Sequence, residues 1–525
     1  MFKGYALPAP HERRPLRAMT RSHGRAGAGL TLLLLSGAMA APAAAQPASP
    51  SEQSLPGAPQ VRQQPAQGST GGNPSPQEAA PSEDTLPASP EQRQQAPAGP
   101  ADQGPEKGTG LLERDKLHGD LGGLRTRLED KGITFGLQEQ AEVFGNATGG
   151  VRQGAIFEGA LLMTLGIDTE KLVSFPGGKI NVSAYQIHGR GLTANNLGNL
   201  NVISGIEAPQ TTRLFELWYE QSLLDGKATV RVGQQAADQE FITSQYGALF
   251  LNAGFGWPTL PALDLPSGGP AYPLATPGVR LKVLPTEQIS VLAGVYNGDP
   301  SDNGAGTSFR LNKGVFVIGE VQYALNGGEN DTGLPGIYKI GGWYNSNNFA
   351  DQRLGYDGLS LADPDSVGAP RLRRNNWSIY AVADQLVFRE PGTKDQGIGV
   401  FARAMGSPGD RNLVNVFLNA GATYKGIVPG RVNDTLGLGI GFARFSDRAS
   451  KLDSDTNRFS GSVFPIRRSE TVLELTYQAV VVPWLTVQPD FQYVFNPGGG
   501  VSNPEAPTRR VGDAAVLGLR TTIVF

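Results

Sequence analysis

The chain contains no cysteine: 0 in 525 residues. That excludes disulfides, thiolate metal sites, a cysteine nucleophile and a lipidated N-terminal cysteine. Histidine is scarce, with 4. His11 and His23 lie in the N-terminal basic stretch and His118 precedes the patterned region. Only His188 falls within it, on the alternation face of Val182 and Ala184, and no Ser-His or His-Glu spacing points to catalysis. Beyond the N-terminus no run is apolar enough to cross a membrane as a helix, and the mean hydropathy is only −0.24. Neither sign of charge dominates. Lys and Arg number 45 against 48 Asp and Glu, and the net charge of −3 gives no bulk signal for nucleic acid. The expectation is a protein with no nucleic-acid partner, no cofactor, no metal and no catalytic site.

What is present begins with an export signal. Lys3, Arg13, Arg14, Arg17, Arg21 and Arg25 form a basic stretch ahead of a short apolar run, Ala26 to Met39. Ala38-Met39-Ala40 and Ala43-Ala44-Ala45 offer small-residue cleavage sites. This predicts a secretory signal over 1–45, since the apolar run falls short of the roughly 20 residues a spanning helix needs. Residues 46–110 are rich in Pro, Gln, Ala, Ser and Gly and nearly free of aromatics. Such a segment cannot bury enough apolar surface to offset its ordering entropy, so a disordered periplasmic tail is expected. Leu111 to Leu117 could form a short helix.

From Ile133 the texture changes. Runs of about ten residues alternate apolar and polar, separated by Gly, Asn, Asp and Pro clusters, which is how a membrane-spanning β-barrel is written. In Leu485 to Phe495, Leu485, Val487, Phe491, Tyr493 and Phe495 share one face, against Thr486, Gln488, Asp490 and Gln492 on the other. Pro489 sits on the apolar face with no evident reason. Leu517, Leu519, Thr521, Ile523 and Phe525 alternate with Gly518, Arg520, Thr522 and Val524. Val414, Val416, Leu418, Ala420, Ala422 and Tyr424 alternate with Asn415, Phe417 and Asn419. Counting all such runs predicts an all-β antiparallel barrel of about 16 strands within 111–525. Tight connections (Leu224 to Lys227, Pro285 to Gln288, Val481 to Pro483) alternate with long ones (Ala236 to Gly278, Ser346 to Asn376, Ser446 to Glu470). A soluble β-sandwich would not alternate its loops this way, so an outer-membrane location is expected, with lipid around the barrel.

The loop Ala236 to Gly278 carries Tyr246, Phe250, Phe255, Trp257 and Tyr272 with six prolines. So many aromatics suit a loop folded inside the barrel, packed on the wall and narrowing the pore. The alternative is an outward loop packing on its neighbours. For the lumen wall, alternation in Arg213 to Glu220 sets Glu216, Trp218 and Glu220 opposite Phe215, Leu217 and Tyr219, which suit lipid. Arg231 and Arg280 join them from the next two strands. A tryptophan between carboxylates fits a sugar: the ring stacks on the C–H face of a pyranose and carboxylates accept hydroxyl hydrogen bonds. Opposed Arg and Glu would screen ions and orient polar solutes. Against this, any wide barrel needs charged residues to stay wet. Trp343 is a second aromatic candidate, though an interface girdle also uses Trp.

Several motifs then carry a resemblance. Leu121-Gly122-Gly123-Leu124-Arg125-Thr126-Arg127-Leu128 with Gly132-Ile133 is similar to the opening motif of the carbohydrate-selective (OprB-like) porins of Gram-negative outer membranes, with Leu121 where that family usually has Trp. Glu216-Leu217-Trp218, Arg231-Val232-Gly233-Gln234, Leu249-Phe250-Leu251-Asn252, Gly268 to Pro273, Val295 to Pro300, Pro483 to Tyr493 and Gly518 to Thr521 resemble it further. The resemblance runs from about Leu117 to Phe525. It implies passive uptake of glucose-like sugars through a single-chain barrel, and Phe525 resembles the terminal signal read by the barrel-insertion machinery. The other functions weighed are a general or anion-selective porin, a barrel enzyme such as a lipid hydrolase, and a structural barrel acting through its Pro/Gln-rich tail.

Overall fold

The computed structural model describes residues 110–525, apart from 302–303, 329–330 and 394. The expected export signal lies outside the described residues, as does the expected tail up to residue 109. Eighteen strands follow in order: β1 (Ile133–Asn146), β2 (Gly154–Asp168), β3 (Gly178–Gly189), β4 (Thr211–Leu223), β5 (Ala228–Gln235) and β6 (Thr276–Val283). Next come β7 (Ile289–Asn297), β8 (Val315–Leu325), β9 (Gly336–Gly355), β10 (Pro370–Arg389), β11 (Gly397–Gly406) and β12 (Val414–Lys425). The last are β13 (Thr435–Phe445), β14 (Ser469–Val482), β15 (Leu485–Phe495), the short β16 (Ser502–Asn503) and β17 (Ala506–Arg510), and β18 (Ala514–Val524). β16 and β17 form a separate antiparallel pair; the rest pair antiparallel in chain order, with β18 between β15 and β1, so 16 strands close a barrel with no free edge.

Connections on one rim are tight, such as 224–227 and 483–484, while those on the other include 190–210, 236–275 and 446–468. In outer-membrane barrels the short turns face the periplasm. Alternation sets the two faces. On β15 Gln488, Asp490 and Gln492 are buried inward while Phe491 is exposed outward; on β18 Leu517 and Leu519 are exposed and Arg520 is buried. Pro489 faces outward where the β14–β15 ladder lapses between the pairs Thr476–Asp490 and Ala479–Val487. A residue with no N–H costs no ladder bond there.

Four expectations need correction. Leu111 to Leu117 forms turns and bends, and the short helix lies instead at Leu124–Glu129. The stretch Ser346 to Asn376 is mostly strand: β9 and β10, at 20 residues each, project as a hairpin whose loop is only 356–369. Val414 does not share the outward face of Leu418, because the β12–β13 register shifts between Val414 and Val416, and Val414 is fully buried beside Phe417. Phe215 does not face lipid. Ser183 pairs with Glu216 but Ala184 pairs with Leu214, so Phe215 sits in a bulge. It turns inward, 1% exposed, with its ring 5.2 Å from Tyr185.

Two long loops fold into the barrel, and wall side chains hold them. In 190–210, Leu192, Leu197 and Ile203 are fully buried, and Glu470 of β14 accepts the backbone N–H groups of Leu200 and Asn201 at 2.7 Å. In 236–275, Glu320 accepts Ile242 N–H, Asp384 accepts Tyr246 N–H and Glu474 accepts those of Leu251 and Asn252. Arg403 donates to the carbonyls of Ile242, Gly254, Phe255 and Gly256, and Lys339 to that of Thr243. The loops also join each other, through Gly205 N–H to Leu251 carbonyl and Ala253 N–H to Val202 carbonyl. Backbone inside a wall needs partners for its polar groups, and here the barrel supplies them.

Candidate functional site

The loop 236–275 contains three charged residues, Asp238, Glu240 and Asp264. Asp264 accepts Leu413 N–H at 3.1 Å, and Asp238 accepts Tyr272 N–H at 2.9 Å. Burial pushes Asp238 up to about 7. Glu240 does something else. It reaches the wall between β5 and β6, where Arg231 and Arg280 are direct cross-strand partners. Arg231 Nη1 lies 2.8 Å from Glu240, and Arg280 Nε 2.7 Å from it. The same two arginines hold Glu220 of β4, Arg231 at 3.0 Å and Arg280 in close contact. Burial would raise Glu240, but the two guanidinium charges outweigh it and hold the carboxyl at about 2. The result is a closed ring of two anions and two cations joining three strands and one loop. Its side chains keep 3–16% of their surface exposed, so the ring still meets the lumen.

Trp218 lies on this ring. The Arg231 guanidinium sits over its indole at 3.9 Å from the ring centroid. Trp218 faces Gly233 across the β4–β5 ladder. Gly233 has φ 140°, and a Cβ there would come 2.6 Å from Trp218 Cα and 2.3 Å from Leu217 carbonyl oxygen. Only glycine permits that approach. Indole Nε1 donates to Glu216 at 3.3 Å.

The structure thus brings together four of the five wall residues singled out from sequence: Trp218, Glu220, Arg231 and Arg280. Glu216 points inward as expected but is 2% exposed. It accepts Ala236 N–H at 3.0 Å, so it ties down the start of the loop. The four loop aromatics pack on the wall rather than facing water. Tyr246 and Phe250 join Leu386 and Phe401, and Trp257 is 2% exposed with Nε1 donating to Gly268 carbonyl at 3.0 Å. Tyr272 meets Tyr185 edge-on at 4.7 Å. Trp343 faces inward but is buried beside Phe316. His188 is on the outer face as expected, with Nε2 3.5 Å from Glu139.

Sequence reasoning missed Glu240, the inner loop 190–210 and the anchoring side chains. For Glu240 a signal existed: a charged residue in a loop otherwise apolar and nearly charge-free.

A model of the carbohydrate-selective porin, OprB family, matches residues 152–525. Porin B of Pseudomonas aeruginosa is 26% identical over 434 residues, covering 78% of this chain and 90% of that protein. A putative porin, QuiX, of Acinetobacter baylyi is 24% identical, covering 79% and 94%. The high-pH structure of Pseudomonas putida OprB superposes with a TM-score of 0.71 at 25% identity, covering 79% of this chain and all of that one. The family's members are channels of the outer membrane. With a closed 16-strand barrel, inward polar walls and a family match over most of its length, this chain belongs to the carbohydrate-selective porins of the OprB family.

Proposed function

We propose that the ring of Glu220, Arg231, Arg280 and Glu240, with Trp218 beside it, is where this porin contacts a glucose-like sugar during passive diffusion into the periplasm. The observation that carries the reading is the Trp218 indole lying against Arg231 at 3.9 Å, next to two carboxylates. With one indole face covered by Arg231, the other face of this half-buried ring takes the C–H face of a pyranose, while carboxylates accept and guanidiniums donate to its hydroxyls. The four charges neutralise one another locally, so a polar neutral solute exchanges hydrogen bonds there without meeting a net charge barrier from the ring itself. Transport on this reading consumes no energy and makes no covalent change, so the protein is a channel and not an enzyme. The inner loop 236–275 narrows the path by bringing Glu240 across from the wall. Lipid covers the outward leucines and valines, and Phe525 serves the insertion machinery during assembly. Arg125 donates to the Phe525 carbonyl at 2.7 Å, which supports a defined seat for that residue once the barrel is closed.

Swelling of proteoliposomes tests the reading, with glucose compared against a disaccharide and an amino acid of similar size. Glucose entering faster than its size allows, with the advantage lost in Trp218→Ala, supports it. Rates that track size alone in both proteins contradict it. Deleting Leu249 to Ala262 should raise single-channel conductance; unchanged conductance means the loop does not set the aperture.

A further inference from the structure

Beneath the ring, toward the short-turn rim, the same wall carries two more cations. Lys179 on β3 is the direct cross-strand partner of Glu220, and it shares the inward face of Asn181 and Ser183. Lys282 on β6 lies two residues beyond Arg280 on the same inward face, opposite Thr229. Lys179 is exposed and Lys282 half-buried, so both meet water. Each is near enough for its charge to act on a ring carboxylate, Lys179 on Glu220 and Lys282 on Glu240. Those carboxylates are already engaged by the two arginines. Among the described residues neither lysine enters an ion pair of its own. Counting Glu216, buried above the ring on β4, four cations therefore face three carboxylates on this stretch of wall. The adjoining wall, reached past β2, differs. There Gln138 and Gln140 of β1, Gln488 of β15 and Thr522 of β18 point inward without charge, and Arg520 is held by Glu142. The lower lumen is thus basic along β3–β6 and lined by uncharged side chains along the adjoining β1, β18 and β15.

We propose that this wall selects sugar acids: solutes with a polyol body and one carboxylate, of the aldonate class. The inference rests on the sugar reading of the ring and refines it. The polyol engages Trp218 and the ring, while the carboxylate is drawn by Lys179 and Lys282 at the periplasmic exit. An anion in a confined, partly dehydrated path feels such charges more than it would in bulk water. A lysine ammonium is a mobile point charge, suited to passing an anion along rather than clamping it.

The test is initial-rate entry of radiolabelled gluconate, glucose and acetate into proteoliposomes held at zero membrane potential, for the wild type and for Lys179→Gln/Lys282→Gln. The expected result is gluconate entering at least as fast as glucose in the wild type, slowed about fivefold in the double variant, with glucose unchanged and acetate changed less than gluconate. Gluconate insensitive to the double substitution overturns the proposal. So does acetate slowed as strongly as gluconate, since the lysines would then attract any anion. Glucose entering only as its size allows would fail the sugar reading, and that outcome is read from wild-type glucose alone, independently of the lysines. Because neither side chain is buried, loss of glucose entry in the double variant would report damage to the wall and count against a selectivity role.

Discussion

The β3–β6 wall and the β8–β14 wall use the same residue types for different ends. On the second, four carboxylates accept backbone N–H groups from an inner loop. Glu320, Asp384, Glu470 and Glu474 act in this way, and Arg403 does the same with carbonyls. On the first, Glu216 ties down Ala236 N–H in the same way, but Glu220, Glu240, Arg231 and Arg280 answer one another and keep an edge in the lumen. A buried charge that satisfies backbone is a bolt, and its removal leaves polar groups dry. A charge paired at a water-facing surface can exchange its partner for a solute hydroxyl at little cost. The difference teaches that inward charge in a barrel is not by itself a sign of a binding site. What it is bonded to decides.

That contrast can be broken by substitution. Glu474→Ala should have the largest effect, because it strands the N–H groups of Leu251 and Asn252 inside the barrel. Each unmet group costs about 1–3 kcal/mol, so a clear fall in thermal unfolding temperature is expected together with noisier, larger channel currents. Arg403→Met should follow, by removing a charged donor to four loop carbonyls, with a loss of roughly 2–3 kcal/mol in denaturant unfolding. Trp218→Ala should act on the other wall. It removes a half-buried ring that holds no inner-loop backbone, so glucose preference in swelling assays should drop while unfolding shifts less than in Glu474→Ala. A stability loss larger than that of Glu474→Ala would erase the distinction between the walls.

The smallest effects are those of pH, and they run in opposite directions at the two ends of one loop segment. Burial raises Asp238 to about 7, above an unfolded value of about 4. The folded state then holds a proton that the unfolded chain has released. The contribution of Asp238 is fully present below pH ~4 and declines as pH rises toward 7. Glu240, held at about 2 against burial by Arg231 and Arg280, contributes above pH ~4 and loses that contribution as pH falls toward 2. Unfolding measured from pH 3 to 8 should show Asp238→Asn flattening the slope above pH ~4 and Glu240→Gln flattening it below. Both variants acting in the same window would contradict the assigned partners.

Most of the barrel could be read from the residues, because a strand with one face in lipid and one in water must alternate, and that period survives even where single strands are ambiguous. Strand starts such as Ile133 and the closing β18 follow from it. The failures are local and share a cause. At Phe215 and Val414 a bulge adds one residue and reverses the faces beyond it, which alternation cannot foresee. Of the site, Trp218, Glu220, Arg231 and Arg280 were legible because they sit on regular strand. Glu240 was not, because a loop carries no period, and its position depends on contacts with Arg231 and Arg280 that exist only once the loop has folded inward. The loop 190–210 was missed for the same reason. Its residues Thr193 to Glu207 are polar and small enough to pass for a solvated connection, yet Glu207 accepts Thr193 N–H inside the barrel.

The most direct test of the account is the single-channel current of the wild type and of Trp218→Ala during titration with glucose. The account predicts a current that falls saturably with glucose in the wild type and only in proportion to solution viscosity in Trp218→Ala, with the sugar-free conductance nearly the same in both. A wild-type current that follows viscosity alone would contradict it.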